Sequence, residues 1–129
     1  MDKQYYSKNK ISAIMYIHAM LYDFDLGSAV KYVFRYKYKD NPTEDIRKAK
    51  KYTDYYLELI EQNEHLDERN KLERKYSFSD FREDLTDMSE SQLKALIYID
   101  ELFGCGNLER AKVFHSAANE YLDKLLEEK

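Results

Sequence analysis

The chain has 129 residues, 36% of them charged, with a net charge of −4, three glycines, one proline and one cysteine. That length suits one domain with a single core, and the scarcity of glycine and proline favours helices over turn-rich β structure. The lone Cys105 excludes an internal disulfide, and with no long apolar run and no hydrophobic signal core in MDKQYYSKNK we expect a soluble cytoplasmic protein.

A first helix is expected to start near Ser7 or Asn9, either of which can cap it. Ile11, Ile14, Met15, His18 and Leu21 fall at helical spacing and form its expected buried stripe, which makes His18 a hydrogen-bonded core residue rather than a metal ligand. Asp25 is the expected cap of a second helix, with Leu26, Val30, Val33 and Phe34 inward. Lys31 and Arg35, four apart, share another side. Pro42 disfavours helical geometry at Asn41, so this helix should end near Tyr38 to Asp40.

The motif NPTE then opens a third helix, with Asn41 as N-cap, Pro42 in the first turn and Glu44 reaching back as in a capping box. Ile46, Ala49, Thr53, Leu57 and Ile60 give it one face from Pro42 to at least Glu61. The following charged stretch, with only Leu66 and Leu72 as leucines, reads as a solvated helical extension or a linker. SFSDFREDL suggests a short helix capped by Ser77 or Ser79. Ser89 and Gln92 have capping-box spacing ahead of a helix that buries Leu93, Leu96, Ile97 and Phe103.

Asp100 and Glu101 interrupt that helix and read as capping or solvent-exposed residues. GCGN ends it at Gly104 and starts a last helix at Asn107, with Cys105 filling a small half-buried space. Leu108, Ala111, His115, Ala118, Leu122 and Leu125 form a stripe that either packs within the chain or lines a homodimer interface. The expected fold is all-α, a bundle of about five to six helices with a tight helical hairpin around Asn41 and Pro42. Residues 1–61 form a three-helix unit and residues 62–129 a charged extension with a C-terminal hairpin, packed as one domain.

Familiar catalytic signatures are missing: there is no GxxxxGK[ST], GxGxxG or GxSxG, and His18, His65 and His115 lack metal-binding spacing. No catalytic residue and no metal site is assigned. Charge is more informative. Residues 31–51 hold eight basic and three acidic side chains, a net +5, whereas residues 52–129 hold ten and nineteen, a net −9. In the basic hairpin, Lys37, Lys39 and the amides around Thr43, Glu44 and Asp45 would meet at one edge, which suits a phosphate. Tyrosines 32, 36, 38, 52, 55 and 56 offer faces for a base. The competing account is ordinary: the tyrosines pack the hairpin and Glu44 pairs with Lys48.

The segment LGSAVKYVFRYKYKDNPTEDIRKAKKYTDYYLELI resembles the core of a small phage-encoded family of unknown function, sometimes described as phage nucleotide kinases. The match runs over about residues 5–61 and rests on Gly27, Ser28, Lys31, Tyr32, Arg35, Lys39, Asp45, Ile46, Lys48, Ala49, Tyr52 and Tyr56. Asparagine is usual in that family at the position of Ser28, and a His-Tyr pair opens it where this chain reads Gln4-Tyr5-Tyr6. The resemblance implies a phage protein in a bacterial host cell that handles nucleotides, with magnesium as the cofactor a nucleotide-dependent reaction would bring. Together with the basic hairpin it nominates Lys31, Tyr32, Arg35, Lys39, Asp45, Lys48 and Tyr52 as the ligand-binding set. Two other readings stand beside it. The acidic half could occupy a partner's cationic channel, as an anti-CRISPR or other inhibitor of host defence would. Direct nucleic-acid binding by the hairpin is disfavoured, because the acidic half would repel the same backbone.

Overall fold

The computed structural model describes residues 9–128, so the proposed cap at Ser7 and the Gln4–Tyr6 opening lie outside the described residues. Among these residues the chain is helical throughout: α1 Ala13–Met20, α2 Phe24–Arg35, α3 Pro42–Gln62, α4 Glu68–Glu73, α5 Phe78–Phe81, α6 Glu90–Leu102 and α7 Leu108–Glu128. Short 3-10 turns at Tyr36–Tyr38 and Arg82–Asp84 finish α2 and α5. The all-α bundle is therefore as expected, with α4 and α5 as one-turn pieces in the charged connection.

The helical hairpin forms for local reasons. Asn41 Oδ1 accepts the Glu44 amide at 3.1 Å, and Pro42 starts α3 where its missing N–H costs nothing. α2 turns Leu26, Ala29, Val30, Val33 and Phe34 inward, and α3 packs on it with Ile46, Ala49, Thr53, Tyr56 and Ile60. Tyr56 is buried where Leu57, half-buried, was expected. α7 lies across α3 and α6, and its Ala111, Ala118, Leu122 and Leu125 are buried inside the monomer. One core runs from Ile11 to Leu125, joining both halves of the sequence.

Two fully buried polar side chains bond backbone groups at helix ends. The Gln92 side chain completes the capping box of α6 with the Ser89 amide (2.9 Å) and donates from Nε2 to the Val33 carbonyl at 3.0 Å. That carbonyl is one of the last four of α2, which have no partner within the helix. Tyr56 is fully buried, and its hydroxyl accepts the Gly104 amide at 2.9 Å.

Several expectations are corrected. Helix α1 is capped by Ser12, not Asn9, and it buries Ala13, Tyr16 and Met20 while Ile14, Met15, His18 and Leu21 face solvent. The sequence AIMYIHAM is apolar nearly all round, so spacing alone does not select a face. Tyr16 selects it, by packing against Phe34 (centroids 5.6 Å apart) and Phe81 (5.5 Å). Asp23, not Asp25, caps α2, accepting from Leu26 at 3.1 Å and from Asp25 at 3.3 Å. In α6 the buried isoleucine is Ile99 rather than Ile97, and Asp100 is buried instead of capping or facing solvent.

Candidate functional site

The hairpin gathers most of the nominated residues around one aromatic ring. Lys31 Nζ and Arg35 Cζ each lie 4.8 Å from the Tyr32 ring centroid, and Lys48 Nζ reaches it from α3 at 5.6 Å. Tyr52 stacks beside Tyr32 with centroids 6.1 Å apart and planes inclined by 15°. The negative face of an aromatic ring attracts such cations, which explains why three can gather there. Because both ammoniums are so close to one centroid, Lys31 and Lys48 are at most about 10 Å apart, near one Debye length at physiological salt. Their fields therefore add.

Asp45 belongs to the same group but faces inward. It is 4% exposed and accepts from Arg35 Nε at 3.2 Å and Nη2 at 3.4 Å. That pair joins the end of α2 to the first turn of α3 and neutralises Arg35. Lys31 and Lys48, by contrast, have no ion-pair partner among the described residues. Lys48 turns toward Tyr32 rather than pairing with Glu44. The seventh nominated residue, Lys39, belongs to the turn between α2 and α3.

The phosphate position expected at the start of α3 is not open as drawn. Asn41 already occupies the Glu44 amide, and its carbonyl accepts the Asp45 amide at 3.4 Å. Lys37 is also engaged: it and Tyr38 both bond Asp87, which ties the turn to the segment before α6. The available positive charge therefore sits one turn of helix back, on the Tyr32 face.

Next to that face lies a feature not anticipated from sequence. An open groove of about 280 Å³ is lined by Ile17, Tyr22, Asp23, Phe24, Gly27, Ser28 and Lys31. Gly27 keeps α1 and α2 close here, since a Cβ on it would stand 3.2 Å from Ile17 Cγ2. Phe24 is 76% exposed and meets the Tyr52 ring edge-on at 5.8 Å, so groove and cation cluster are continuous through Phe24, Tyr52 and Lys31. At the groove wall, burial pushes the Asp23 carboxyl up to about 7, with the neighbouring Asp67 and Asp25 charges acting the same way against two backbone hydrogen bonds. Burial also raises Asp67, whose Oδ2 is buried without a hydrogen-bond partner.

Beneath the groove a second polar network holds α6 to the connection after α4. Arg74 donates to both Asp100 oxygens, at 2.6 and 2.8 Å, and Tyr22 donates to Asp100 Oδ1 at 2.8 Å. The Arg74 and Asp100 side chains are 8% and 10% exposed. Burial works against the Arg74 charge, but the Asp100 hydrogen bond and charge outweigh it and raise its pKa. Lys71 adds a hydrogen bond to the Asp100 carbonyl at 2.6 Å, and its own pKa is lowered by burial. No group of His, Cys, Asp or Glu among the described residues has the geometry of a metal site. None of the described helices is long and apolar enough to cross a membrane.

An all-helical unit with a cation-ringed tyrosine and an adjoining aromatic groove is what the geometry defines. In comparison with known families, the model of a protein family of unknown function, DUF3310, matches residues 3–54. That match includes every nominated ligand residue and all of the groove. No curated protein and no solved structure matches the chain.

Proposed function

We propose that this protein binds a nucleotide or another phosphorylated small molecule on the exposed face of the α2–α3 hairpin. Lys31 and Lys48 supply the charge for phosphate, and Phe24 and Tyr52 supply the surface for a base or other flat group. The observation that carries this reading is the pair of ammoniums on the Tyr32 ring that have no ion-pair partner among the described residues, continuous with an apolar groove through Lys31 itself. Concave, largely apolar sites with a few convergent charges are where small ligands bind. The similarity to phage proteins described as nucleotide kinases points the same way and suggests a phage accessory protein. Phosphoryl transfer would ask for more than this face offers, since a metal and further cations normally share the transferring charge.

The test is a thermal-shift and calorimetric screen of inorganic phosphate and nucleoside mono-, di- and triphosphates, with and without magnesium. A ligand bound only by the folded chain stabilises it by about 2.7 kcal/mol at a hundredfold excess over its Kd, a shift of several degrees for this length. The comparison protein is Lys31→Ala/Lys48→Ala, which leaves the structural Arg35–Asp45 pair intact. A shift in the wild type that disappears in the double variant supports the site. Binding unchanged in the variant, or no response to any of these ligands, would sink it and leave inhibition of a host protein through the acidic surface as the reading to pursue.

A further inference from the structure

The groove beside the lysine pair is chemically uneven. Ile17, Tyr22 and Phe24 give it apolar and aromatic surface, while Asp23, Ser28 and Lys31 are its polar points. Those three follow one another along α2, Asp23 as its N-cap and Lys31 past its middle. At 1.5 Å of rise per residue, Asp23 and Lys31 stand about 12 Å apart along the helix axis. Lys31 can only donate hydrogen bonds, and the half-buried Ser28 can donate or accept. The Tyr22 hydroxyl is engaged by Asp100. What the groove accepts at the end remote from Lys31 is therefore decided by Asp23.

Capping does not exhaust that carboxylate. Its Oδ1 takes the Leu26 amide and its Oδ2 the Asp25 amide, whereas an ionised carboxyl offers about four lone-pair sites. A half-buried carboxylate with acceptor capacity to spare attracts a further N–H donor, and such charge-assisted bonds are the stronger kind. The titratable groups facing it are Asp25 in the first turn of α2, Asp67 at the start of α4 and the buried Tyr56 of α3. Burial, and after it the two acids, raise the Asp23 pKa to about 7. It is thus an acceptor at about pH 8 and carries a proton at about pH 5.5.

We propose that Asp23 sets the specificity of this groove: with a phosphate on Lys31, it takes the amino group of a planar ring and disfavours the same ring without one. This rests on the ligand-binding reading above and adds the chemical class of the ring, an amino-substituted heterocycle with its edge toward Asp23 and its face toward Phe24. A site built around one hydrogen bond rejects the analogue that lacks it, because its own polar group is then left unpaired.

The experiment is calorimetric titration of the full chain at about pH 8 and about pH 5.5 with two matched pairs of 5′-monophosphates. Adenosine is compared with purine riboside, and guanosine with inosine; within each pair only a ring amino group is exchanged for hydrogen. At the higher pH the amino member of at least one pair should bind about tenfold tighter or more, the usual worth of a hydrogen bond to a charged group. That ratio should shrink at the lower pH, where the carboxyl is protonated; titration of the phosphate is common to both members and cancels. In Asp23→Asn, which keeps an oxygen for the cap, the preference should disappear, and matching circular dichroism spectra would establish that the variant folds. Equal affinities within both pairs at the higher pH overturn the proposal, as does a preference that survives in Asp23→Asn. Binding of all four nucleotides without preference removes the selectivity and leaves the ligand site standing. Binding of none removes the selectivity as well, and inorganic phosphate titrated alongside shows whether the lysine site survives.

Discussion

Replacing Asp23 by asparagine tests the electrostatics of the groove wall. Asp23 caps α2 through both carboxylate oxygens, yet it sits in a desolvated position beside Asp67 and Asp25. Its pKa rises from the ordinary 3.8 to about 7, and at 1.36 kcal/mol per unit this corresponds to roughly 4 kcal/mol. For a carboxyl raised on folding, the contribution to stability is fully present below 3.8 and is lost as the pH climbs through 7, because the fold disfavours the charge. Asparagine keeps one capping oxygen, for the Leu26 amide, without that charge; it gives up the longer bond from the Asp25 amide, as the protonated carboxyl does in part, and about 0.3–1 kcal/mol of favourable interaction with the helix dipole. Asp23→Asn should therefore match the wild type near pH 4 and exceed its stability by about 3 kcal/mol at pH 8. Urea unfolding of both proteins across that range provides the comparison, and the difference between them cancels the titration of groups common to both. A stability gap that does not change with pH, or a variant weaker than wild type at pH 8, would refute the argument.

Three further changes probe the segment between α3 and α6 and the turn after α6 that packs on it. Arg74→Ala leaves Asp100 buried without its bidentate partner and should cost about 3–5 kcal/mol in urea unfolding, the usual penalty for stranding one charge of a buried pair. Gly104→Ala forces a Cβ to within 2.7 Å of the Asp67 carbonyl oxygen at a φ of +58°, and should lower stability by at least about 1 kcal/mol. Gly106→Ala, also at positive φ, meets only the end of the Glu68 side chain and should cost less; equal losses at the two glycines would show that backbone strain, not the Asp67 contact, sets the cost.

What could be read from the sequence was what depends on neighbours along the chain. Asn41 and Pro42 start α3, Ser89 and Gln92 form a reciprocal cap, and Leu26, Val30, Val33 and Phe34 face the core, all because caps and periodicity are local signals. The failures are equally instructive. Helix α1 presents apolar residues on both sides, so only the distant rings of Phe34 and Phe81 decide that Tyr16 goes inward. Asp23 and Asp25 are two residues apart and both able to cap; the structure uses the one immediately before Phe24. Asp100 finds Arg74 from 26 positions away, and no spacing rule announces such a pair. In the candidate site the sequence supplied the cations and rings but placed the anion edge at the α3 N-terminus. It could not show that Asn41 and Asp87 already engage that edge, nor that α1 and α2 enclose a groove ending at Lys31.

The basic hairpin that looked like one feature separates into groups with different work. Arg35, Lys37 and Lys50 are spent on Asp45, Asp87 and Asp123, and these pairs tie α2 to α3, the turn to the segment before α6, and α3 to α7. To that extent the two halves of the chain do attract each other, as a plain structural account of the charge split requires. The same pairing explains why the excess remains where it does. Asp45 meets Arg35 beside the Tyr32 ring, Asp87 meets Lys37 at the turn and Asp123 meets Lys50 on the α7 side, and among the described residues no carboxylate pairs with Lys31 or Lys48. Lys31 and Lys48 are held there by a ring instead, an interaction that orients a cation without cancelling its charge. A ring-held ammonium keeps its field for an incoming anion, whereas a lysine paired with a carboxylate does not. The case for a ligand thus rests on these two lysines and not on the number of basic residues in the segment.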